Sequence, residues 1–233
     1  MTRRDPDGGE RPLVLARCAG ALGLIMLAGG SFAGYAASRV VVAGDASITA
    51  RNFAASGLLV RLGVLGALVM MVAFLLYAAV LNQLFRSVGR GLSIAMFALA
   101  LASVPLFMLN QVFYVGAASA AHAQDDVLVR VLLEMFRFGS LVGAIFFGLW
   151  LLPLGLLVAR SGFLPRILGW LLVAASPGYI ILFVQGFFFS EHGRSWWQNP
   201  LLPLTHLAEL SLMFWLLIRG VNRRRWLARN GGE

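Results

Sequence analysis

RFGSLVGAIFFGLWLLPLGLLVARSGFLPRILGWLLVAASPGYIILFVQGFFFSE, residues 137–191, holds two apolar runs and the turn between them. The first run lies between Arg137 and Arg160, the second between Arg166 and Glu191, and neither carries an internal charge. Each is longer than the roughly 20 residues that a helix needs to cross about 30 Å of hydrocarbon at about 1.5 Å per residue. In lipid a helix satisfies its own backbone polar groups, whereas a spanning β-barrel needs alternation, which these continuous runs lack. The turn, Arg160-Ser161-Gly162-Phe163-Leu164-Pro165-Arg166, predicts a tight antiparallel hairpin. Gly162 can end one helix in a left-handed cap, and Pro165 can start the next, where its missing N–H costs nothing.

Four further runs have the same character: Arg17 to Arg39, Arg61 to Arg86, Gly91 to about Ala118, and Leu201 to Ile218. The composition agrees, being 60% hydrophobic and 12% charged with a mean hydropathy of +0.83, where a soluble domain has about 25% charged residues. The expected fold class is all-α, a polytopic transmembrane bundle of six helices with both termini cytoplasmic. Residues 1–11 read as a disordered basic tail, 12–222 as the six-helix domain, and 223–233 as a second basic tail. The first run is longer than the 7 to 15 residues usual for a signal-peptide core, so it reads as a retained helix.

The orientation comes from the arginines, since all 19 basic residues are arginine. Thirteen of them, Arg3, Arg4, Arg11, Arg17, Arg86, Arg90, Arg160, Arg166, Arg219, Arg223, Arg224, Arg225 and Arg229, fall on one side, which should face the cytoplasm. The net charge of +9 therefore belongs to topology and to attraction for anionic lipid head groups at that face, and nucleic acid is not a partner. The expected location is the cytoplasmic (inner) membrane of a cell. The outer links, Ala43 to Ser56 and Ala117 to Glu134, should contain helical extensions. Trp196 and Trp197 in the last outer link should anchor at the interface.

Gly30 and Gly34, and Gly139 and Gly143, are spaced for close helix contacts, within the chain or in a homodimer. Pro105, Pro153 and Pro177 fall inside crossings and should kink them, with Ser176-Pro177-Gly178 the main break. Cys18, the lone cysteine, excludes an internal disulfide or a cysteine-based zinc site and reads as a packing residue.

Several segments resemble one small bacterial membrane family. They are Ala16-Arg17-Cys18-Ala19-Gly20, Asn52 through Arg61-Leu62-Gly63, Phe147 through Gly155, Arg160 through Gly169, and Glu209 to Leu217 with Gly220-Val221. The chain is similar over about residues 11 to 222 to the domain-of-unknown-function family numbered forty-three eighty-six. The resemblance implies a six-helix integral membrane protein and brings no established activity. Where many relatives carry an acid a few positions after the Arg61-Leu62-Gly63 match, this chain has Gly66-Ala67.

Within the sixth crossing stands Glu209. Eight residues from Leu201 place its carboxyl about 12 Å deep, where a lone charge is costly. It should face the bundle interior, pair with a cation, or hold a proton. His206 lies one turn shallower on the same face. Counting outward from the cytoplasmic arginines puts Arg61, Arg137, Asn110 and Tyr114 near the outer boundary, and arginine side chains can dip inward. The candidate site is an outward-facing polar pocket of Glu209 and His206 with Arg61 or Arg137, Asn110 and Tyr114. Its alternative is an Arg–Glu clasp that only fixes packing.

A multi-pass membrane protein with such a pocket could act as a proton-coupled transporter or bind a small molecule. As a transporter, six helices without an evident inverted repeat would need to dimerise. An enzyme is the weaker reading. His206-x-x-Glu209 is a single metal-ligand pair where a dimetal bundle site needs two, His122 and His206 stand in no haem motif, and no phosphate loop or nucleophile elbow is present. No cofactor, metal or catalytic residue is assigned.

Overall fold

The computed structural model describes residues 10–42, 44–189, 199 and 201–230. Among these residues the regular structure is helical and no strand occurs. The helices, in chain order, are α1 (Arg11–Val40), α2 (Ala46–Ala55), α3 (Gly57–Phe85), α4 (Arg90–His122), α5 (Asp126–Ser161), α6 (Arg166–Ala175), α7 (Pro177–Phe188), α8 (Leu201–Ile218) and α9 (Arg223–Asn230). Counting α6 and α7 as one interrupted span, six are long and apolar enough to cross a bilayer: α1, α3, α4, α5, α6–α7 and α8. The chain is a multi-pass, all-α membrane protein.

The spans form a ring in chain order. α1 packs on α3, α3 on α4, α4 on α5, and α5 on α6 and α7; α8 then closes the ring between α6–α7 and α1. The middle is filled by the largest buried side chains, among them Trp150, Tyr77, Phe74 and Met71. Two crossings depend on paired glycines. A Cβ on Gly29 of α1 would stand 2.6 Å from the Gly66 carbonyl oxygen of α3, and one on Gly155 of α5 would stand 2.8 Å from the Gly169 carbonyl oxygen of α6. Of the glycines expected to make contacts, Gly30 meets Met70, Gly139 meets Asn110 and Gly143 meets Phe107, whereas Gly34 faces open space.

Both tight turns form at the arginine-rich end. Gly162 caps α5 with φ 72°, in the left-handed region that glycine enters freely, and Pro165 stands just ahead of α6. The links at the opposite end hold the expected helical extensions. α2 fills most of the first, and in the second α4 and α5 run on to leave residues 123–125 between them. α2 is pinned by Phe53, which is fully buried and meets Tyr114 edge-on at 5.3 Å. Asn52 Nδ2 also donates to the Val40 carbonyl at 3.1 Å.

The expected basic tails fare differently. Residues 1–9 of the first lie outside the described residues, as do Trp196 and Trp197, and Arg11 already belongs to α1. Residues 223–230 are not a tail but α9, docked on the bundle. Trp226 is buried and its Nε1 donates to the Leu84 carbonyl of α3 at 3.2 Å. Arg229 Nη1 donates to the carbonyls of Arg160 at 2.8 Å and Ser161 at 3.0 Å. These bonds satisfy carbonyls that the ends of α3 and α5 leave without helical donors, which is why a segment this basic folds back.

The break between α6 and α7 is local. Pro177 cannot donate to Val173 four residues before it, and the Ser176 hydroxyl does so instead, at 3.0 Å. From α8 the Thr205 hydroxyl donates to the Ala175 carbonyl at 2.9 Å. Pro105 and Pro153 are accommodated within continuous helices.

Candidate functional site

Glu209 stands at the middle of α8, beside the buried stripe of Thr205, Ala208, Leu212 and Leu216, and is itself half-buried. Its carboxylate Oε2 accepts a hydrogen bond from the Tyr179 hydroxyl at 3.1 Å. Tyr179 follows the break by two residues. The break and the α5 backbone together set its position, since a Cβ on Gly148 would stand 3.0 Å from the Ser176 carbonyl oxygen and 3.4 Å from Tyr179 Cβ.

Tyr77 is almost wholly buried on α3. Around these groups runs a connected set of rings. Phe107 meets Phe147 at 4.8 Å, Phe147 meets Tyr179 at 5.7 Å, and Tyr179 meets His206 at 6.4 Å. Trp150 stands edge-on to Phe74 at 4.9 Å and to Tyr77 at 5.9 Å. The Trp150 Nε1 is buried and has no acceptor among the described residues. An unpaired buried donor costs about 1–3 kcal/mol, so its retention in the centre calls for an explanation.

The six residues expected to share a pocket are brought together in part: Glu209 and His206 both meet Tyr179, Asn110 and Tyr114 both meet Phe136, and Arg137 and Arg61 have other surroundings. His206 touches the Tyr179 ring, but its side chain is exposed and its Nδ1 is within 2.8 Å of the Leu202 carbonyl of its own helix. Arg137 donates to the Gly186 carbonyl at 3.1 Å and lies 4.4 Å from the centre of the Phe138 ring, which joins α5 to α7. Asn110 Nδ2 donates to the Phe136 carbonyl at 2.9 Å and to Ser140 Oγ at 3.0 Å, which joins α4 to α5. Tyr114 is wedged between Phe53 and Phe136, and its hydroxyl is buried without a partner among the described residues. Arg61 is exposed on α3. Among the described residues the ion pair is Arg130–Glu134 at 3.5 Å, on the surface, so Glu209 forms no clasp with an arginine there. Nor, among those residues, do three His, Cys, Asp or Glu side chains gather as metal ligands would.

Tyr179, Tyr77 and Trp150 were not anticipated, though a count of height would have found two of them. Tyr77 is nine residues from Arg86, Trp150 ten from Arg160, and Glu209 ten from Arg219. At about 1.5 Å per residue these three lie at one level, roughly 14–15 Å from the arginine-rich end.

The model of one family, described as Domain of unknown function (DUF4386), matches residues 18–220. The chain belongs to this family. It is also similar to an uncharacterized protein of the archaeon Archaeoglobus fulgidus, 39% identical over 79 residues, which is 34% of this chain. The match covers 44% of that protein, so the chain spans less than half the length of the curated relative. No solved structure matches. The family match ends two residues before Asn222, so α9 lies beyond it.

Proposed function

We propose that the chain is a multi-pass protein of the cytoplasmic membrane, with both termini in the cytoplasm, that binds a small solute together with a proton at Glu209. The class of activity is that of a small proton-coupled transporter or ligand-binding membrane protein. One observation carries the reading: the mid-span carboxyl of Glu209 has a tyrosine hydroxyl, and no described cation, as its partner. An acid paired with an arginine at that depth is held in its charged form, whereas one beside a neutral donor is able to take up and release a proton. The Tyr179 hydroxyl supplies that donor, and the Trp150 Nε1, without an acceptor among the described residues, is a second buried donor in the aromatic cluster that joins them through Phe74 and Phe147. Helix breaks near mid-membrane are where transporters place such sites, and Ser176-Pro177 puts one beside Tyr179.

The test is an infrared pH-difference spectrum of the purified protein in lipid. The wild type should show a protonated-carboxyl C=O band that titrates and that Glu209→Gln removes, and in vesicles E209Q should abolish pH-driven uptake. A band that is absent, or that persists in E209Q, would overturn the proposal.

A further inference from the structure

At the arginine-rich end a cavity of about 410 Å³ opens between the α5–α6 turn and the elbow from α8 to α9. Its lining includes Gly162, Phe163, Pro165, Trp215, Arg219 and Arg225. The walls are held in place by bonds that leave charge to spare. Gly220, at φ 66°, turns the chain out of α8, and the Asn222 N–H donates to the Phe163 carbonyl at 3.0 Å. Arg225 Nη1 donates to the Gly162 carbonyl at 2.9 Å, which occupies one of its five N–H donors. Arg219 is exposed, and no described carboxylate lies within ion-pair distance of either guanidinium.

The rim on the lipid side is apolar. Trp215 of the lining is 36% exposed, one turn from Arg219, and Ile218, outside the lining but next to Arg219 on α8, is 69% exposed. A pocket with unneutralised guanidinium donors at its mouth and bare apolar side chains on its flank matches a ligand that brings a phosphate and hydrocarbon together. We propose that this cavity binds an anionic phospholipid, with Arg219 and Arg225 on the phosphate oxygens and Trp215 and Ile218 along the acyl chains. The chemistry recognised is the phosphate; the apolar flank favours a lipid over a soluble phosphate ester. The inference rests on the chain being a membrane protein and is independent of the role proposed for Glu209.

Native mass spectrometry of the delipidated full chain in neutral detergent tests it, with phosphatidylglycerol, phosphatidylcholine and soluble glycerol phosphate as probes. Wild type should retain phosphatidylglycerol over phosphatidylcholine. Arg219→Gln should weaken that retention about fivefold, Arg219→Lys should keep most of it, and Arg130→Gln, at the opposite end, should leave it unchanged. The Arg219 side chain makes no hydrogen bond among the described residues, and its backbone N–H bond to the Trp215 carbonyl survives substitution, so R219Q should unfold at the wild-type temperature. Equal retention by wild type and R219Q, an equal loss in R130Q, or displacement of the lipid by glycerol phosphate at matched concentration would each overturn the proposal. Both faces are open in detergent, so an inverted orientation would leave the result unchanged.

Discussion

The Tyr179–Glu209 bond, at 3.1 Å, ties α7 to its neighbour α8. Removing the donor with Tyr179→Phe should cost about 0.5–1.5 kcal/mol of thermal stability in detergent. Combined with Glu209→Leu, which removes the acceptor, it should show a coupling of comparable size in a double-mutant cycle, and additive losses would mean that the pair does not interact. Asp45 offers a pH test at the other end. It caps α2 by accepting the Ile48 N–H at 2.9 Å and the Ser47 hydroxyl at 3.0 Å, and these bonds hold its pKa below the ordinary 3.8. A depressed carboxylate pKa stabilises the fold fully above the unfolded value and loses that effect as pH falls through the lower folded value. Amide exchange at Ile48 should therefore be pH-independent in its protection above about 4 and accelerate below 3.8, and Asp45→Ala should show the faster exchange at neutral pH. Glu209 was legible because a charge interrupts an apolar run. Its partner was not, because height along a span follows from counting while the direction in which a side chain points depends on rotation of the helix. That rotation is set at Pro177 and Gly148, while Arg137, 23 residues from Arg160 and so well beyond the level of Glu209, donates to the Gly186 carbonyl.

Helices meet here through glycine backbones, and only some glycines take part. Gly169→Val would drive a side chain into the α5 backbone at Gly155 and Ala159, so it should destabilise the α5–α6 hairpin by about 1–3 kcal/mol or more and lower the yield of folded protein in detergent. Gly34→Ala should change stability by no more than about 0.5 kcal/mol, or raise it slightly, since nothing lies within 4 Å of the added carbon. Four-residue spacing marked Gly30 and Gly34 alike, yet the true α1–α3 contact uses Gly29 with Gly66. Spacing gives a stripe; which stripe is covered depends on the neighbour. The elements themselves were legible, since length and apolarity alone define a span. The helical run of α5 out to Asp126 was less so, because its first turns carry Asp126, Arg130 and Glu134 and pack on α2 and α4.

For the molecule as a whole, the six-span plan follows from hydropathy, and the ring follows from short links that force successive spans to be neighbours. The side on which each end lies is a prediction. With Cys18 replaced by Ser, a cysteine at Ser47 should react with an impermeant maleimide in intact cells, and one at Asn222 only after permeabilisation. Both reacting from the same side would remove the proposed topology. α9 was read as a tail because its composition is that of a solvated charge run; the one signal against this was Trp226, an apolar residue among arginines. Its docking has a temporal corollary. α9 is polymerised after all six spans, so the carbonyls of Leu84, Arg160 and Ser161 wait without their partners through most of synthesis. Completion of the bundle is thereby tied to arrival of the eight residues from Arg223 to Asn230. Quality-control proteases would meet an unlatched intermediate in any nascent copy stalled before them.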